Sequence, residues 1–356
     1  MNILFISNAS GYGGSERTLE IIVNQLSKKN SVTVYAENEI HIENLGRNNV
    51  NIIRSRKGKK ITGILQDLFL LRKKIQEVDA VITNTNKAAF YLSILSFVIN
   101  KNQIKKSMIF VRDFQWKYCG FIFWALKNSR FYVASPAVID FVAQYGITPS
   151  VIPNPVELST EVSSENQLCK LHPVIICPAM ISRWKGLEYL IRAVKKINKK
   201  STLYIIGKKV DEDYYNFLKK EAGKIENGST VHFIEYTHEI KEYYKMATVV
   251  VNSSISKFSG PETFGRTIIE AWSYKKPAIA FSCGGPKYLI DNYKNGILVE
   301  EENVAELTLA LNDLLDNDIL SSSLGENGYK KVQNEFSSLL IAEKIIKEIQ
   351  LNIISN

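Results

Sequence analysis

The chain has 356 residues, 45% of them hydrophobic and 23% charged. This length predicts two domains, and the composition excludes disordered, collagen-like and coiled-coil proteins. The chain has no eighteen-residue apolar run, no signal-peptide pattern and no closely spaced cysteine pair, so we expect a cytoplasmic protein with reduced thiols and neither a zinc site nor disulfides. The net charge of +9 arises entirely before residue 161, where 20 basic side chains outnumber 11 acidic ones.

The first half of the chain alternates short apolar runs with segments of helical spacing. It opens with a strand at Asn2–Ser7, a Gly-rich loop at 8–15, a helix at Glu16–Leu26 and a strand at Ser31–Tyr35. The further predicted strands are Asn51–Ile53, Ala80–Thr83, Ser107–Val111, Phe131–Ala134 and Ser150–Ile152, and the helices are Ile61–Gln76, Ala88–Ile99 and Ala137–Gln144. This alternation predicts a parallel sheet wound on both faces.

A polar stretch at 157–166 predicts a linker, after which the same alternation returns. The predicted strands are Val174–Cys177, Thr202–Ile206, Val231–Phe233, Val249–Val251 and Ala278–Phe281, and the helices are Leu187–Ile197, Tyr214–Ala222, Ile240–Met246 and Thr267–Tyr274. We therefore predict an α/β protein with Rossmann-like domains at 1–160 and 161–335 and a C-terminal helix at 336–356. Two such domains facing one cleft would place a ligand between them.

A Gly-rich loop, Gly11 to Gly14, stands where the first strand meets the first helix. Glycines allow backbone N–H groups to approach a phosphate or a sugar, and a helix N-terminus favours negative charge. We expect Gly13 and Gly14 to contact a ligand, and a bare tight turn is the alternative. A dinucleotide-binding fingerprint needs glycine where this chain has Glu16.

A second motif contains two glutamates seven residues apart, Glu262 and Glu270, on either side of Gly265. About two helical turns separate them, so both can point into one crevice. Carboxylates accept hydrogen bonds from vicinal hydroxyls, which suits a ribose and a sugar ring, and N–H groups near Phe264, Gly265 and Arg266 can bind a diphosphate. The alternative is that Glu262 caps the helix and Glu270 is solvated.

At these residues the sequence resembles the retaining family 4 glycosyltransferases of GT-B architecture. The resemblance spans the chain through Gly13-Gly14-Ser15-Glu16-Arg17, Ile152-Pro153-Asn154, Trp184-Lys185-Gly186, the paired-glutamate motif and Gly284-Gly285. It implies a nucleotide sugar bound mainly by the C-terminal domain, an acceptor bound mainly by the N-terminal domain, and a C-terminal helix that packs back on the N-terminal domain. It also implies that Glu270 holds the ribose, Glu262 the donor sugar hydroxyls and Lys185 the diphosphate. No metal and no cofactor is expected, and the chain has no Asp-x-Asp motif.

The chain departs from this family in three places. Where the family usually has a phosphate-binding Arg there is Met180, and Arg183 is the predicted replacement. Where many members have a His, after the strand at Ser107–Val111, this chain has Arg112 and Asp113. We interpret Asp113 as orienting or deprotonating the acceptor hydroxyl and Arg112 as supporting the charge of the leaving diphosphate, and a structural pair is the alternative. After Gly284-Gly285 the family often supplies a Glu, and this chain has Pro286-Lys287-Tyr288.

The basic first half predicts contact with an anionic membrane surface, because its charges lie among apolar segments such as Leu68–Leu71 and Phe90–Ile99. A solvated face is the alternative, and no nucleic-acid motif accompanies the charge. The basic clusters are Arg54, Arg56, Lys57, Lys59 and Lys60, then Arg72, Lys73 and Lys74, then Lys101, Lys105 and Lys106.

The sequence therefore predicts a retaining glycosyltransferase, with a UDP-sugar the favoured donor and a GDP-sugar next. The predicted acceptor is a glycan or lipid-linked molecule of surface polysaccharide or lipopolysaccharide synthesis, met at the inner face of the cell membrane. The predicted catalytic residues are Glu262, Asp113 and Arg112. The predicted donor-binding residues are Gly13, Gly14, Arg183, Lys185, Glu262, Thr263, Phe264, Gly265, Arg266 and Glu270. The alternatives are a catalytically silent nucleotide-sugar-binding protein and an NAD(P)-dependent oxidoreductase that uses Gly11, Gly13 and Glu37.

Overall fold

The computed structural model describes residues 1–47, 49–56, 61–159, 172–235, 237 and 239–354. The chain forms two units, one made of Met1–Pro155 with Ser337–Asn356 and the other of Val156–Phe336. The predicted linker at 157–166, the predicted basic residues Lys57, Lys59 and Lys60, and Cys169 lie wholly or mostly outside the described residues. The other three cysteines are free thiols.

The first unit is built on a parallel sheet of seven described strands. They are β1 (Asn2–Ser7), β2 (Ser31–Ala36), β3 (Asn51–Arg54), β4 (Ala80–Thr83), β5 (Ser107–Val111), β6 (Arg130–Val133) and β7 (Ser150–Val151). Their order is β3-β2-β1-β4-β5-β6-β7. In this register Ile3 of β1 lies beside Val32 of β2 and Ala80 of β4. Five of the six β1 residues are buried, as expected for a strand covered on both faces.

Helices cover both faces of this sheet. They are α1 (Gly14–Leu26), α2 (Glu39–Gly46), α3 (Ile61–Gln76), α4 (Asn86–Leu95), α5 (Lys101–Lys105), α6 (Cys119–Ala125) and α7 (Ile139–Ala143). Helices α3, α4, α6 and α7 contribute to one hydrophobic core, and α1 and α2 contribute to the other.

The C-terminal helix, Ser338–Ile354, completes the core on the α1 side of the first unit. Its buried Ile341, Ile345 and Ile349 pack in the same core as Leu19 and Ile22 of α1. Gln25 of α1 donates a hydrogen bond to the Ser338 hydroxyl at 2.9 Å. The residues of this unit thus come from both ends of the described chain.

The second unit is built on a parallel sheet of six described strands. They are β8 (Val174–Pro178), β9 (Thr202–Ile206), β10 (Thr230–Ile234), β11 (Val249–Asn252), β12 (Ala278–Phe281) and β13 (Ile297–Val299), in the order β10-β9-β8-β11-β12-β13. The helices are α8 (Leu187–Val194), α9 (Glu212–Ala222), α10 (Ile240–Met246), α11 (Arg266–Ser273), α12 (Pro286–Leu289), α13 (Val304–Asp316) and α14 (Asp318–Lys331). The predicted fold class, with two doubly wound parallel sheets, is confirmed.

None of the helices within the described ranges is both long and apolar enough to cross a membrane.

Candidate active site

Each sheet has one point where the strand order reverses. These points lie between β1 and β4 and between β8 and β11. Loops that leave the carboxyl ends of the two strands on either side of such a point diverge, which opens a crevice for a ligand. A ligand of either unit is therefore expected at these strand ends.

In the second unit, Lys185, Glu262 and Ser254 form a polar cluster beside the carboxyl ends of β8 and β11. The Lys185 Nζ atom lies 2.5 Å from Glu262 Oε2 and donates to the Ser254 hydroxyl at 3.3 Å. The Lys185 side chain is 12% exposed and that of Glu262 is 18% exposed. The Lys185 ammonium also lies over the Trp184 ring, 3.7 Å from its centroid. A cation and a carboxylate are thus held together in a poorly solvated place.

Gly186 fixes the backbone that presents Lys185. Its φ of 56° lies in the left-handed region, and a Cβ at this position would stand 2.3 Å from the Ser253 carbonyl oxygen. The Ser253 hydroxyl donates to the Lys185 carbonyl at 2.8 Å. The Lys185 loop is therefore fastened directly to the residues after β11, and only glycine fits at position 186 without a shift.

Gly284 and Gly285 support the loop that carries Glu262. The Gly285 amide donates to the Glu262 carbonyl at 2.6 Å. A Cβ on Gly284 would lie 2.1 Å from that same carbonyl oxygen, and one on Gly285 would lie 2.4 Å from the Phe264 Cα. This close backbone contact leaves no room for a side chain at positions 284 and 285, and it fixes the position of the Glu262 backbone.

Glu270 lies in α11 in a different environment from Glu262. Its side chain is 9% exposed, and its two oxygens contact different partners. Oε1 lies 2.7 Å from Arg266 NH2, one helical turn earlier, and Oε2 accepts from the Tyr244 hydroxyl at 2.7 Å. The Arg266 guanidinium offsets the desolvation of this buried carboxylate.

Gly265 precedes the first turn of α11 with a φ of 101°. The amides of this turn have no acceptor within the helix, which makes them suitable donors to an anion. Phe264 is buried against Phe336, with ring centroids 5.9 Å apart, so its contribution to a ligand site is its backbone. Thr263 precedes it in the same loop and is half-buried.

Arg183 lies near Lys185 but has a different partner. Its Nε atom is 3.2 Å from Asp211 Oδ2, and its side chain is 47% exposed. Its guanidinium also lies over the Tyr214 ring, 5.4 Å from the centroid. Met180, at the position where the family usually has an arginine, is 41% exposed. The role of Arg183 in binding a diphosphate stays a prediction.

In the first unit, Arg112 lies at the carboxyl end of β5 between two asparagines. It donates to Asn84 Oδ1 at 3.2 Å and to Asn154 Oδ1 at 2.5 Å, and its guanidinium stacks on the Phe110 ring at 4.5 Å. Asn84 is itself held by the Ser15 carbonyl, to which it donates at 3.1 Å. Amide oxygens are neutral, so these contacts orient the Arg112 side chain without cancelling its charge.

Asp113 is exposed and, within the described residues, forms no ion pair. Its carboxylate accepts the Gln115 amide at 2.8 Å. Enough protein surrounds the side chain for desolvation to raise its pKa, and the smaller opposing effect of the Gln115 hydrogen bond lowers it. The predicted alternative, a structural Arg112–Asp113 pair, is therefore not formed.

The Gly-rich loop does not present a dinucleotide-binding geometry. Glu16 is buried, and its Oε2 accepts from the Gly13 amide at 3.0 Å and from the Ser15 hydroxyl at 2.9 Å. A carboxylate thus stands at the α1 N-terminus, where a pyrophosphate would be repelled. Glu37, the predicted ribose ligand of an NAD site, forms an ion pair with Lys87 at 2.6 Å. Gly14 begins α1 and is exposed.

Sequence reasoning missed the neutral partners of the charged residues. Asn84 and Asn154 hold Arg112, Ser254 holds Lys185, and Tyr244 holds Glu270. A signal was present for three of them, because Asn84, Asn154 and Ser254 each follow a predicted strand. Tyr244 gave no signal, since it lies 26 residues before Glu270 in a separate helix.

Other reactive groups near the second site are not set up for catalysis. Burial raises the pKa of the Cys177 thiol to about 11 and that of the Cys283 thiol to about 12, so neither is a thiolate at neutral pH. Within the described part of the chain, no group of three or more His, Cys, Asp or Glu side chains is placed to hold a metal ion.

Comparison with known proteins places this geometry in a family. Residues 160–331 match the family model described as "Glycosyl transferases group 1". An uncharacterized glycosyltransferase of Haemophilus influenzae is 26% identical over 189 residues, which are 49% of this chain and 51% of that protein. The capsular polysaccharide biosynthesis glycosyltransferase CapM of Staphylococcus aureus is 27% identical over 45% of this chain and 41% of its own length. The chain thus spans about half the length of the curated relatives it matches.

Solved structures match over nearly the whole chain. Anabaena HepE in complex with UDP has a TM-score of 0.84 and 21% sequence identity, and the match covers 98% of this chain and 100% of that one. HepE has also been solved with UDP-glucose. At this identity the similarity shows the fold. Residues 160–331 therefore belong to the glycosyl transferases group 1 family, and the whole chain has the GT-B fold.

Proposed function

We propose that the protein is a retaining, hexosyltransferase-type glycosyltransferase. It moves a sugar from a nucleotide-sugar donor to a hydroxyl group of a glycan or lipid-linked acceptor. The observation that carries the proposal is the cluster of Lys185, Glu262 and Ser254 at the strand-order reversal of the second sheet. The Lys185 cation can bind a diphosphate, and the Glu262 carboxylate, 2.5 Å away, can bind sugar hydroxyls.

The donor's nucleotide end is assigned to Glu270 and the start of α11. Glu270 would accept hydrogen bonds from the ribose hydroxyls, and its contact with Arg266 holds the carboxylate in place for that purpose. The amides after Gly265 would bind the diphosphate together with Lys185. Each preorganised donor of this kind stabilises developing negative charge by a few kcal/mol in a water-poor site.

Glu262 is assigned to the transferred sugar. When the diphosphate takes Lys185 as its partner, the Glu262 carboxylate becomes available to the sugar hydroxyls. As the bond to the diphosphate breaks, the sugar gains positive, oxocarbenium-like character, which a nearby carboxylate stabilises. The acceptor hydroxyl attacks from the face that the diphosphate leaves, so the anomeric configuration is retained.

The acceptor end is assigned to the first unit. Asp113 would take the proton of the acceptor hydroxyl, and its raised pKa makes it a better base than an ordinary aspartate. Arg112, which its amide partners leave positively charged, would support the charge on the departing diphosphate. The ionised Asp113 is required for this role, so turnover should fall as pH drops through its pKa.

The donor and setting are inferred from the relatives. The HepE complexes favour a UDP-sugar, and a GDP-sugar is the next candidate. The capsule enzyme CapM supports a place in surface polysaccharide or lipopolysaccharide synthesis. The basic first unit supports a peripheral position on the inner face of the cell membrane, where a lipid-linked acceptor is presented.

Two other functions can be distinguished from a glycosyltransferase by experiment. A catalytically silent nucleotide-sugar-binding protein is favoured by Met180, which cannot contact a phosphate as arginine does, and it would bind donor without releasing UDP. An NAD(P)-dependent oxidoreductase is disfavoured by the Glu16 carboxylate at the α1 N-terminus. Nicotinamide fluorescence that changes on mixing with the protein would support the oxidoreductase.

The substitution Glu262→Gln tests the proposal. It removes the charge that stabilises the sugar but keeps the side-chain volume, so we expect turnover to fall about 100-fold or more, as for loss of one electrostatic contact in a transition state. UDP affinity, measured by calorimetry, should not fall, because the diphosphate no longer has to displace a carboxylate from Lys185. Turnover of the variant within twofold of wild type would show that Glu262 is only a structural residue. Wild-type protein that binds UDP-sugars without hydrolysis or transfer would support the silent binder.

A further inference from the structure

The first unit carries an exposed aromatic patch on and beside α4 and α6. It consists of Phe90, Phe97, Tyr118, Phe121 and Trp124, whose rings contact one another with centroids 5.3 to 6.4 Å apart. Phe97, Tyr118 and Trp124 are 61%, 69% and 59% exposed. Isolated exposed rings are common on protein surfaces, but a contiguous cluster indicates a contact surface.

A pocket of about 590 Å³ adjoins this patch at Trp124. Its walls combine apolar rings, including Phe123 and Tyr145, with the cations Lys127 and Arg130. Arg130 NH1 lies 3.6 Å from Glu348, a loose contact, while Glu348 accepts a shorter hydrogen bond of 2.8 Å from the Tyr132 hydroxyl. The lining thus combines two cations and one carboxylate with apolar rings.

The pocket lies at the opposite edge of the sheet from Arg112 and Asp113. Its residues Arg130 and Ser150 begin β6 and β7, whereas Arg112 and Asp113 follow the carboxyl end of β5. These strands run parallel, so their amino ends lie together on one side of the sheet and their carboxyl ends on the opposite side. The pocket is therefore not part of the candidate active site of this unit.

Charge decides which partner fits this surface. Between residues 80 and 139 the chain has eight Lys or Arg residues and one acidic residue, Asp113, and the pocket lining adds one carboxylate, Glu348. Asp113 follows β5, away from the pocket. Basic side chains around exposed Trp, Tyr and Phe rings match the interface of an anionic bilayer, where rings insert at headgroup level and cations contact phosphates.

We infer that the aromatic patch and the adjoining pocket form a membrane-docking surface for anionic phospholipid, with a headgroup phosphate bound by Lys127 and Arg130 and the patch inserted among the acyl chains. The inference rests on the peripheral membrane position proposed above and specifies its surface. It differs from attraction by the Arg54 cluster, because it requires shallow insertion of specific rings as well as charge.

The test uses the full chain and vesicles of 30% phosphatidylglycerol in phosphatidylcholine. The double variant Phe97→Ser, Trp124→Ser should lower the partition coefficient at least tenfold in a sedimentation assay, and Lys127→Glu should lower it on these vesicles but not on pure phosphatidylcholine. The matched control is Leu309→Ser, Ile319→Ser in the second unit, where the side chains are 64% and 85% exposed. The control should bind as wild type does.

Tryptophan fluorescence gives an independent measurement. Trp116 and Trp272 are buried and Trp184 is half-buried in the second unit, so the part of a blue shift on vesicle addition that disappears in Trp124→Phe is assigned to Trp124. Failure of the wild type to bind vesicles, or equal binding by the patch variant, would overturn the inference. So would stabilisation by inorganic phosphate without vesicle binding, which would make the pocket a site for a soluble anion.

UDP release without vesicles separates this inference from the proposed function. The patch and Lys127 variants should hydrolyse donor as wild type does, which also shows that they fold. Vesicle docking by a protein that never releases UDP would leave the docking surface intact and contradict the transferase proposal instead.

Discussion

At the residue scale, the two glutamates of the paired motif have different surroundings. Glu262 lies in a loop that Gly284 and Gly285 support, and its Oε2 atom accepts hydrogen bonds from Lys185 and Ser254. Glu270 is buried within a helix between Arg266 and Tyr244. Spacing alone predicted that both could point into a crevice, but only the folded chain shows which partners each one has.

Glu270→Ala should weaken UDP binding by about 1.5 to 3 kcal/mol, which is roughly a 10- to 150-fold loss of affinity, because it removes an acceptor from the ribose. It should also lower the melting temperature, since Arg266 loses its carboxylate in a buried place. Glu270→Gln keeps an acceptor for Tyr244, so its melting temperature should fall less. Calorimetry with UDP and thermal unfolding measure the two effects. Unchanged UDP affinity in both variants would remove Glu270 from the nucleotide site.

Arg183→Ala should lower affinity for UDP much more than affinity for uridine, if Arg183 replaces the phosphate-binding arginine absent at Met180. A guanidinium contacts phosphate oxygens in pairs and contributes nothing to a nucleoside without phosphate. Arg192→Ala is the matched control, because Arg192 has a similar exposure of 43% and also pairs with an acidic residue, Glu221. Equal losses for UDP and uridine would assign Arg183 only to its pair with Asp211.

At the scale of elements, alternation and apolar runs located the strands well because these strands are buried on both faces. Five strands were predicted with their observed bounds: Asn2–Ser7, Ala80–Thr83, Ser107–Val111, Thr202–Ile206 and Ala278–Phe281. The predicted helix at Ala88–Ile99 instead begins earlier and ends at Leu95, because the Thr85 side chain caps it by accepting from the Ala88 amide at 3.1 Å.

Two missed helices show what a pattern cannot reveal. Helix α6 was overlooked because Phe121 and Trp124 are exposed while Ile122 and Phe123 are buried, so no polar face marks it. Helix α14 has few apolar residues, and its Gly328 packs on Trp272, where a Cβ would stand 2.2 Å from the ring. Tertiary packing, rather than local propensity, stabilises such a helix.

The Gly284-Gly285 loop carries the prediction that belongs to this scale. Gly285→Ala should destabilise the protein by about 1 to 3 kcal/mol, because its Cβ would meet Phe264 backbone atoms that cannot easily move. It should also reduce turnover by displacing Glu262. Gly223→Ala is the control, since its Cβ would meet nothing closer than 3.5 Å. Thermal unfolding and UDP release measure both effects, and a Gly285→Ala protein as stable and active as the control would contradict the support role.

At the scale of the whole molecule, charge is divided unevenly between two otherwise similar sheets. The excess of basic residues lies before residue 161, and residues after it carry 25 basic and 25 acidic side chains. In the structure Arg54 pairs with Glu39 at 3.0 Å, and Arg56 donates to Gln66. These exposed contacts are weak, so they reduce the positive potential at this surface only slightly.

Reversal of Arg54, Arg56, Lys57, Lys59 and Lys60 to glutamate changes the net charge from +9 to −1. It should abolish sedimentation with anionic vesicles at low salt, because each basic residue contributes about 1 kcal/mol near such a surface. UDP affinity should not change. The control reverses Lys196, Lys200, Lys219, Lys220 and Lys241 in the second unit, with the same net charge, and should retain more vesicle binding. A wild type that stays in solution at low salt would indicate a solvated face and a soluble acceptor.

The C-terminal helix sets an order of events during protein synthesis. The first unit needs Ile341, Ile345 and Ile349 to cover Leu19 and Ile22, yet the ribosome makes them only after the whole second unit. At 5 to 20 residues per second, that interval lasts roughly 9 to 36 s, whereas small domains fold within seconds or faster. During this interval one apolar face of the nascent first unit is therefore uncovered. A chaperone that binds this face would have the most time to act before the C-terminal helix is made.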